Sequence, residues 1–182
     1  MIRHEGDPGR CAVVLPGIRY FSQAPLLWFA REAAQAGGWS VVEMDERAPG
    51  DEEPFGWMRG QAERAIAEAG AADTVVVVGK SLGTVAATLW SGPAVWLTPL
   101  LDRAEIAEAL RVTTSPALLV GSPADPSWSE GTVPGNPALE VLELPGLDHS
   151  LQVSGDPAAS LGVLREVTAR VASFFERLSG TP

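Results

Sequence analysis

The sequence contains little cysteine and few basic residues. Cys11 is the only cysteine among 182 residues, so no intramolecular disulfide can form, which fits a reducing compartment. Lys and Arg together number 13 against 23 Asp and Glu, and the formal net charge is -10. A chain this acidic repels nucleic acid and anionic membrane surfaces, so we expect neither of them as a partner.

Long apolar runs and metal ligands are also missing. No stretch approaches the roughly 20 apolar residues of a membrane-spanning helix, and the polar residues 1–10 do not resemble a signal peptide, so we expect a cytoplasmic protein. Two separated histidines and one cysteine in a predicted strand do not make a metal-ligand set, so neither a metal nor another cofactor is expected. The length predicts one domain, residues 1–182, and leaves the oligomeric state open.

Short apolar runs alternate with helical patterns along the chain. Strands are predicted at 11–15, 40–44, 74–78, 94–98, 117–121 and 139–143, and helices at 23–36, 57–69, 82–90, 102–111 and 158–178. Four consecutive valines within 74–78 are typical of a strand that is buried on both faces. The alternation predicts a three-layer α/β/α sandwich with about six parallel strands. Ligands bind such sheets beyond the carboxyl ends of the strands. The candidate site is therefore expected in the loops that follow strands, at 16–22, 45–56, 79–81, 99–101, 122–137 and 144–157.

The residues after the valine-rich strand form a motif for nucleophilic chemistry. The sequence Gly79-Lys80-Ser81-Leu82-Gly83 fits G-x-S-x-G between a buried strand and a helix, where a nucleophile elbow lies. A phosphate-binding P-loop also ends in Gly-Lys-Ser, but it needs a glycine where this chain has Thr74, and a strand of valines cannot cradle phosphate. Ser81 is therefore the candidate nucleophile, whereas Lys80 is expected to point away from the pocket.

A serine hydroxyl needs a base, and histidine serves best near neutral pH. His4 lies in the polar N-terminal segment and is expected to be solvated, whereas His149 follows the last strand, at the same edge of the sheet as Ser81. Asp125, four residues after the strand 117–121, is the leading candidate for orienting the imidazole. The chain order Ser81, Asp125, His149 is the one expected after a nucleophile elbow.

Two other acids compete with Asp125. Asp102 lies one strand earlier at the same edge, but its position before a helical pattern predicts an N-cap. Asp148 is adjacent to His149, and neighbouring side chains seldom meet in the geometry that a triad needs. Asp102 therefore remains the alternative acid, and Asp148 ranks last.

An acyl intermediate also needs two backbone N–H groups that stabilise its oxyanion. Leu82 is predicted to supply one, and the loop after the first strand to supply the other, from Ile18 or, as second choice, from Arg19. Apolar residues of the strand-end loops either line a substrate pocket or pack the loops down. The predicted substrate-binding residues are Tyr20, Leu100, Trp128 and Leu151. They suit a small-molecule acyl substrate.

Four motifs, each at a strand end, together resemble the α/β-hydrolase superfamily over about residues 10–178. They are LPGIRY after the first strand, GKSLG at the elbow, GSPADP at the acid and LDHSL at the histidine. The likeness is strongest to small, lidless members of the dienelactone-hydrolase and carboxylesterase type. It implies a minimal α/β-hydrolase fold whose opening antiparallel strands are missing or reduced to residues 1–5. Pro16-Gly17 stands where the family has His-Gly, so only the backbone donor role carries over.

The residues and the resemblance together predict a serine hydrolase that cleaves a carboxylic ester or thioester through an acyl-enzyme. The alternative is a non-catalytic module of the same fold that binds another protein. An intact set of Ser81, Asp125 and His149 argues against that alternative.

Overall fold

The computed structural model describes residues 1–46, 53–70, 72–128 and 133–180. The strands are β1 (Ile2–His4), β2 (Asp7–Leu15), β3 (Trp39–Glu43), β4 (Thr74–Lys80), β5 (Ala94–Leu97), β6 (Ala117–Gly121) and β7 (Leu139–Glu143). The helices are α1 (Pro25–Ala36), α2 (Pro54–Ala69), α3 (Ala104–Val112) and α4 (Pro157–Ser179). A 3₁₀ helix, Ser81–Thr88, joins β4 to β5.

All seven strands form one sheet in the order β1-β3-β2-β4-β5-β6-β7. The strands from β2 to β7 are parallel, and β1 adds a short antiparallel edge beside β3. The prediction of a three-layer sandwich with about six parallel strands is therefore confirmed. The expected reduction of the antiparallel opening to residues 1–5 corresponds to the single strand β1.

The valines of β4 explain how the sheet holds its two layers of helices. Val77 faces the core that includes residues of α2, the 3₁₀ helix and α3. Val76 and Val78 face the core that includes residues of α1 and α4. All three valines are fully buried, and each contributes about 1.5–3 kcal/mol of transfer free energy. This burial fixes β4 at the centre of the sheet, with its carboxyl end at Lys80.

Two predicted strand boundaries are wrong by two residues or more. The first parallel strand begins at Asp7 instead of residue 11, because a shift in register between Asp7 and Cys11 accommodates Pro8 and Gly9 within the strand. The predicted loop 79–81 does not exist, since β4 continues through Lys80 and passes directly into the 3₁₀ helix. Ser81 therefore stands at a strand–helix junction without an intervening loop.

Helix boundaries and caps also differ from the prediction. Helix α2 begins at Pro54, since Glu53 caps it by accepting hydrogen bonds from the backbone N–H of Phe55 and Gly56. The predicted N-cap at Asp102 is wrong, because α3 begins at Ala104. Its N-cap residue is Arg103, whose side chain forms no capping hydrogen bond. Residues 47–52 of the predicted loop 45–56, and residues 129–132 of the predicted loop 122–137, lie outside the described residues.

Within the described ranges, no helix is both long enough and apolar enough to span a membrane.

Candidate active site

The junction between β4 and the 3₁₀ helix places Ser81 in a strained backbone conformation. Its φ is 52°, in the left-handed region that costs a residue other than glycine about 1–3 kcal/mol. A Cβ at Gly79 would lie 2.7 Å from the carbonyl oxygen of Gly83, and a Cβ at Gly83 would collide with the carbonyl oxygen of Leu15. Both glycines of the motif are therefore required by close backbone packing, as a nucleophile elbow demands.

Ser81, His149 and Asp125 form a continuous hydrogen-bonded chain. The distance from Ser81 Oγ to His149 Nε2 is 2.8 Å, and that from His149 Nδ1 to Asp125 Oδ2 is 2.6 Å. A carboxylate only accepts, so Nδ1 carries the proton and Nε2 is left to accept from the serine hydroxyl. The arrangement has the geometry of a nucleophile, a base and an orienting acid.

The carboxyl group of Asp125 is buried but remains ionised. It is only 1% exposed, and burial alone would raise its pKa. The hydrogen bond with His149, and a second from the backbone N–H of Ser127 at 3.0 Å, outweigh that effect and hold the pKa of Asp125 below its ordinary value. An ionised carboxylate at this position stabilises a protonated imidazole.

A serine that sequence reasoning missed joins the loops of the acid and the histidine. Ser122, fully buried at the end of β6, accepts hydrogen bonds from the backbone N–H of Ala124 at 3.3 Å and of Leu147 at 3.1 Å. These bonds tie the loop of Asp125 to the loop of His149. The sequence offered no signal for this contact beyond the position of Ser122 at a strand end.

The structure separates Asp125 from the two competing acids. Asp102 is exposed, and among the described residues it forms no bond to His149. Asp148 Oδ1 accepts from the backbone N–H of Ser150 at 2.8 Å and of Gln152 at 2.9 Å, and so shapes the turn that presents His149. The other histidine, His4, is not solvated as predicted, because it lies in β1 and hydrogen-bonds to the buried Glu43 at 2.7 Å.

The predicted oxyanion residues surround one cavity. Two backbone hydrogen bonds between Gly17 and Tyr20 close a tight turn, in which Arg19 has a φ of 56°. In the described part of the chain, the N–H groups of Ile18 and Arg19 have no acceptor, and Leu82 lies in the first turn of a helix, where N–H groups lack intrahelical partners. A Cβ at Gly17 would lie 2.9 Å from Ser81 Cβ, so this turn lies directly against the serine.

The cavity beside this turn has a volume of about 310 Å³ and a mostly apolar lining. Its lining residues are Pro16, Gly17, Ile18, Arg19, Phe21, Glu46, Trp57, Met58 and Leu82. Sequence reasoning missed Trp57 and Met58. The helical pattern of α2 shows which of its faces is buried but does not show against which loop that face packs.

The predicted substrate-binding residues fall into separate places. Tyr20 and Leu151 line a second cavity, of about 470 Å³, and the lining of neither cavity includes Ser81, His149 or Asp125. Leu100 is half-buried against the core on the other face of the sheet. Trp128 is 1% exposed and lies in that core instead of at the rim, because its ring fills the space above Gly121 and its Nε1 donates to Glu143.

The described residues contain no group of three or more side chains able to hold a metal ion.

Several solved protein structures align with nearly the whole length of this chain. A putative α/β-hydrolase from Agrobacterium tumefaciens aligns with a TM-score of 0.73 at 13% identity, over 98% of this chain and 91% of that one. The α/β-hydrolase domain-containing protein 10 from mouse aligns with a TM-score of 0.70 at 12% identity, over 97% and 93%. The chain has the α/β-hydrolase fold.

A third structure with this fold is Est1E from Butyrivibrio proteoclasticus with ferulic acid bound. It aligns with a TM-score of 0.67 at 12% identity, over 99% of this chain and 95% of that one. No protein-family model matches the sequence, and no curated protein does.

The connection between β5 and α3 of this chain is short. It consists of residues 98–103, so no cap domain is inserted there.

Proposed function

We propose that the protein is a serine hydrolase that cleaves a carboxylic ester or thioester of a small molecule through an acyl-enzyme. The observation that carries the proposal is the hydrogen-bonded chain from Ser81 through His149 to Asp125. The three residues follow three different strands of a parallel sheet, at the edge where open α/β sheets bind ligands. Other structural neighbours with this fold are named as esterases, which supports this class of reaction.

In the proposed reaction, His149 acts as the base. As Ser81 Oγ attacks the acyl carbon, its proton passes to His149 Nε2, and a tetrahedral intermediate forms. The ionised Asp125 holds the Nδ1–H of the imidazole and stabilises its protonated form. His149 then donates the proton to the leaving alcohol or thiol, and water, activated by the same imidazole, releases the acid from Ser81.

The oxyanion and the acyl chain are assigned to the same side of Ser81. The backbone N–H groups of Leu82 and Ile18 donate to the oxyanion, with Arg19 as the second choice in the turn. The acyl chain bonded to that carbon extends into the 310 Å³ cavity, since Leu82 and Ile18 also line it. The apolar lining favours an uncharged aliphatic or aromatic acyl group. Tyr20 and Leu151 remain candidate substrate contacts at the second cavity.

The test is hydrolysis of p-nitrophenyl esters of graded acyl length by the wild type and by two serine variants. Ser81→Ala should lower kcat by about 10⁴-fold or more, because it removes the nucleophile. Ser91→Ala, which truncates an exposed serine away from the triad, should retain wild-type activity. Equal rates for Ser81→Ala and the wild type, with both variants folded, would contradict the proposal.

A further inference from the structure

Lys80 is the only lysine of the chain, and its side chain is buried. It is 2% exposed, although charged side chains are almost never fully buried without a partner. Across the described residues, no hydrogen bond or salt bridge reaches its amine. Lys80 Nζ lies instead 4.6 Å from the centre of the Tyr20 ring, in the geometry of a cation–π contact. The mechanism proposed above does not use this amine.

The charges of two carboxylates, from two different loops, raise the pKa of the Lys80 amine. Burial lowers the pKa of Lys80 to about 8, and the charges of Asp125 and Asp148 partly oppose that effect. Asp125 belongs to the loop after β6, and Asp148 belongs to the turn that presents His149. A single buried positive charge is therefore stabilised by acids of both loops.

Lys80 also contacts the turn that carries the candidate oxyanion donors. A Cβ at Gly17 would lie 3.4 Å from Lys80 Cδ, so the aliphatic stem packs against the first residue of the turn. The amine lies against the ring of Tyr20, the last residue of the turn. Ile18 and Arg19 lie between these two contacts.

We propose that Lys80 is a positioning residue of the active site, which holds the turn 17–20 against Ser81 and places a positive charge beside Asp125 and Asp148. The inference rests on the proposed function. Lys80 is not the base, since Ser81 Oγ is bonded to His149 and the amine lies on the Tyr20 ring. We expect Lys80 to affect the geometry and charge of the triad without contacting the substrate.

A dependence on pH follows from this placement. Loss of the Lys80 proton above about pH 8 removes the charge that faces Asp125 and Asp148. Tyr20, the other titratable group against the amine, does not titrate in this range, because burial raises the pKa of its hydroxyl above the ordinary value of 10.0. The rate of hydrolysis should therefore fall in alkaline solution with the titration of Lys80.

The first test follows the titration of Lys80 itself by NMR. Protein labelled with ¹³C at the lysine Cε position gives a single lysine signal, which should titrate near pH 8. Asp148→Asn keeps the oxygen that accepts from Ser150 and Gln152 but removes the charge, so it should lower the titration midpoint further. Arg170→Gln, at an exposed ion pair, should leave the midpoint unchanged. A midpoint at the ordinary value of 10.5 would overturn the inference, whatever the activity.

The second test compares hydrolysis by the wild type and Lys80→Met, a replacement of similar length without charge. The variant should keep the wild-type melting temperature within a few degrees, lose about 10- to 100-fold in kcat at pH 7, and show no alkaline decline. A variant with the wild-type kcat and the wild-type alkaline decline would overturn the inference. If the wild type hydrolyses no ester or thioester, the proposed function is overturned instead. The NMR titration needs no activity, so it still shows whether Lys80 is placed as inferred.

Discussion

Replacing Glu43 by glutamine should destabilise the fold, because Glu43 is a buried carboxylate shared by three segments of the chain. Its side chain has no solvent exposure. It accepts hydrogen bonds from Arg31 Nη1 of α1 at 2.9 Å, from His4 Nε2 of β1 at 2.7 Å and from Gln23 Nε2 at 2.6 Å. Gln23 follows the loop of residues 16–22, so the cluster also anchors the chain that leads from the candidate oxyanion turn into α1.

The expected loss is large because the substitution leaves a buried guanidinium without its main partner. Arg31 has a side-chain exposure of only 8%, and removing one member of a buried ion pair destabilises a protein by about 3–5 kcal/mol. At roughly 2–4 °C per kcal/mol for a domain of this size, Glu43→Gln should lower the melting temperature by about 6–20 °C. A glutamine can also accept only at one of its two terminal atoms, so it cannot satisfy all three donors.

The difference between the wild type and Glu43→Gln should depend on pH. Burial opposes ionisation of Glu43, but the hydrogen bond from Arg31 is foremost among those that hold the pKa of the folded carboxyl below its ordinary value of 4.5. A carboxyl with a lowered folded pKa stabilises the fold fully above its unfolded pKa. The stability difference should therefore be complete at pH 7 and diminish as the pH falls below about 4.5 and through the lowered folded value.

Urea unfolding followed by tryptophan fluorescence measures this difference at pH 7 and pH 4. The matched control is Glu32→Gln, the same chemical change at the other partner of Arg31, whose side chain is 42% exposed. An exposed pair contributes only about 0–1 kcal/mol. Equal unfolding midpoints for Glu43→Gln and Glu32→Gln would contradict the expected loss, since burial would then make no difference to the ion pair.

Two further pairs of substitutions test the elbow and the acid. Gly83→Ala should destabilise the protein by about 1–3 kcal/mol, because its Cβ would collide with the backbone of Leu15. Gly162→Ala, in α4 where an added Cβ would meet no atom within 4 Å beyond its chain neighbours and the adjacent helix backbone, should stabilise it by about 1 kcal/mol in the same urea experiment. Asp125→Asn should lower kcat for ester hydrolysis by about 10⁴-fold, whereas Asp102→Asn should leave kcat unchanged; the reverse result would assign the acid to Asp102.

The layers of the fold and the order of the site residues could be predicted because they depend on local patterns. The valines of β4 and the alternation of strands with helices follow from side-chain periodicity, which the folded chain preserves. The residues Ser81, Asp125 and His149 each lie just after a strand, and parallel strands bring their carboxyl ends to one edge. Sequence order was therefore enough to place them near one another.

Packing decided what the sequence could not reveal. Trp128 was predicted to bind substrate because its loop follows a strand, but the missing side chain of Gly121 lets its ring enter the core. Met58 reaches the candidate acyl cavity only because α2 packs beside the turn 17–20. His4 and Glu43 are 39 residues apart and meet through the antiparallel pairing of β1 with β3, for which the sequence gives no periodic signal.

Covalent labelling by a fluorophosphonate, followed by intact-mass analysis and peptide mapping, shows directly whether Ser81 is the nucleophile. One label per folded chain is expected, located on Ser81, with no label on Ser81→Ala. His149→Ala should be labelled far more slowly, since Ser81 then lacks the base that lies 2.8 Å away. A folded wild type that takes no label at Ser81 would contradict the account and favour a non-catalytic module of the same fold.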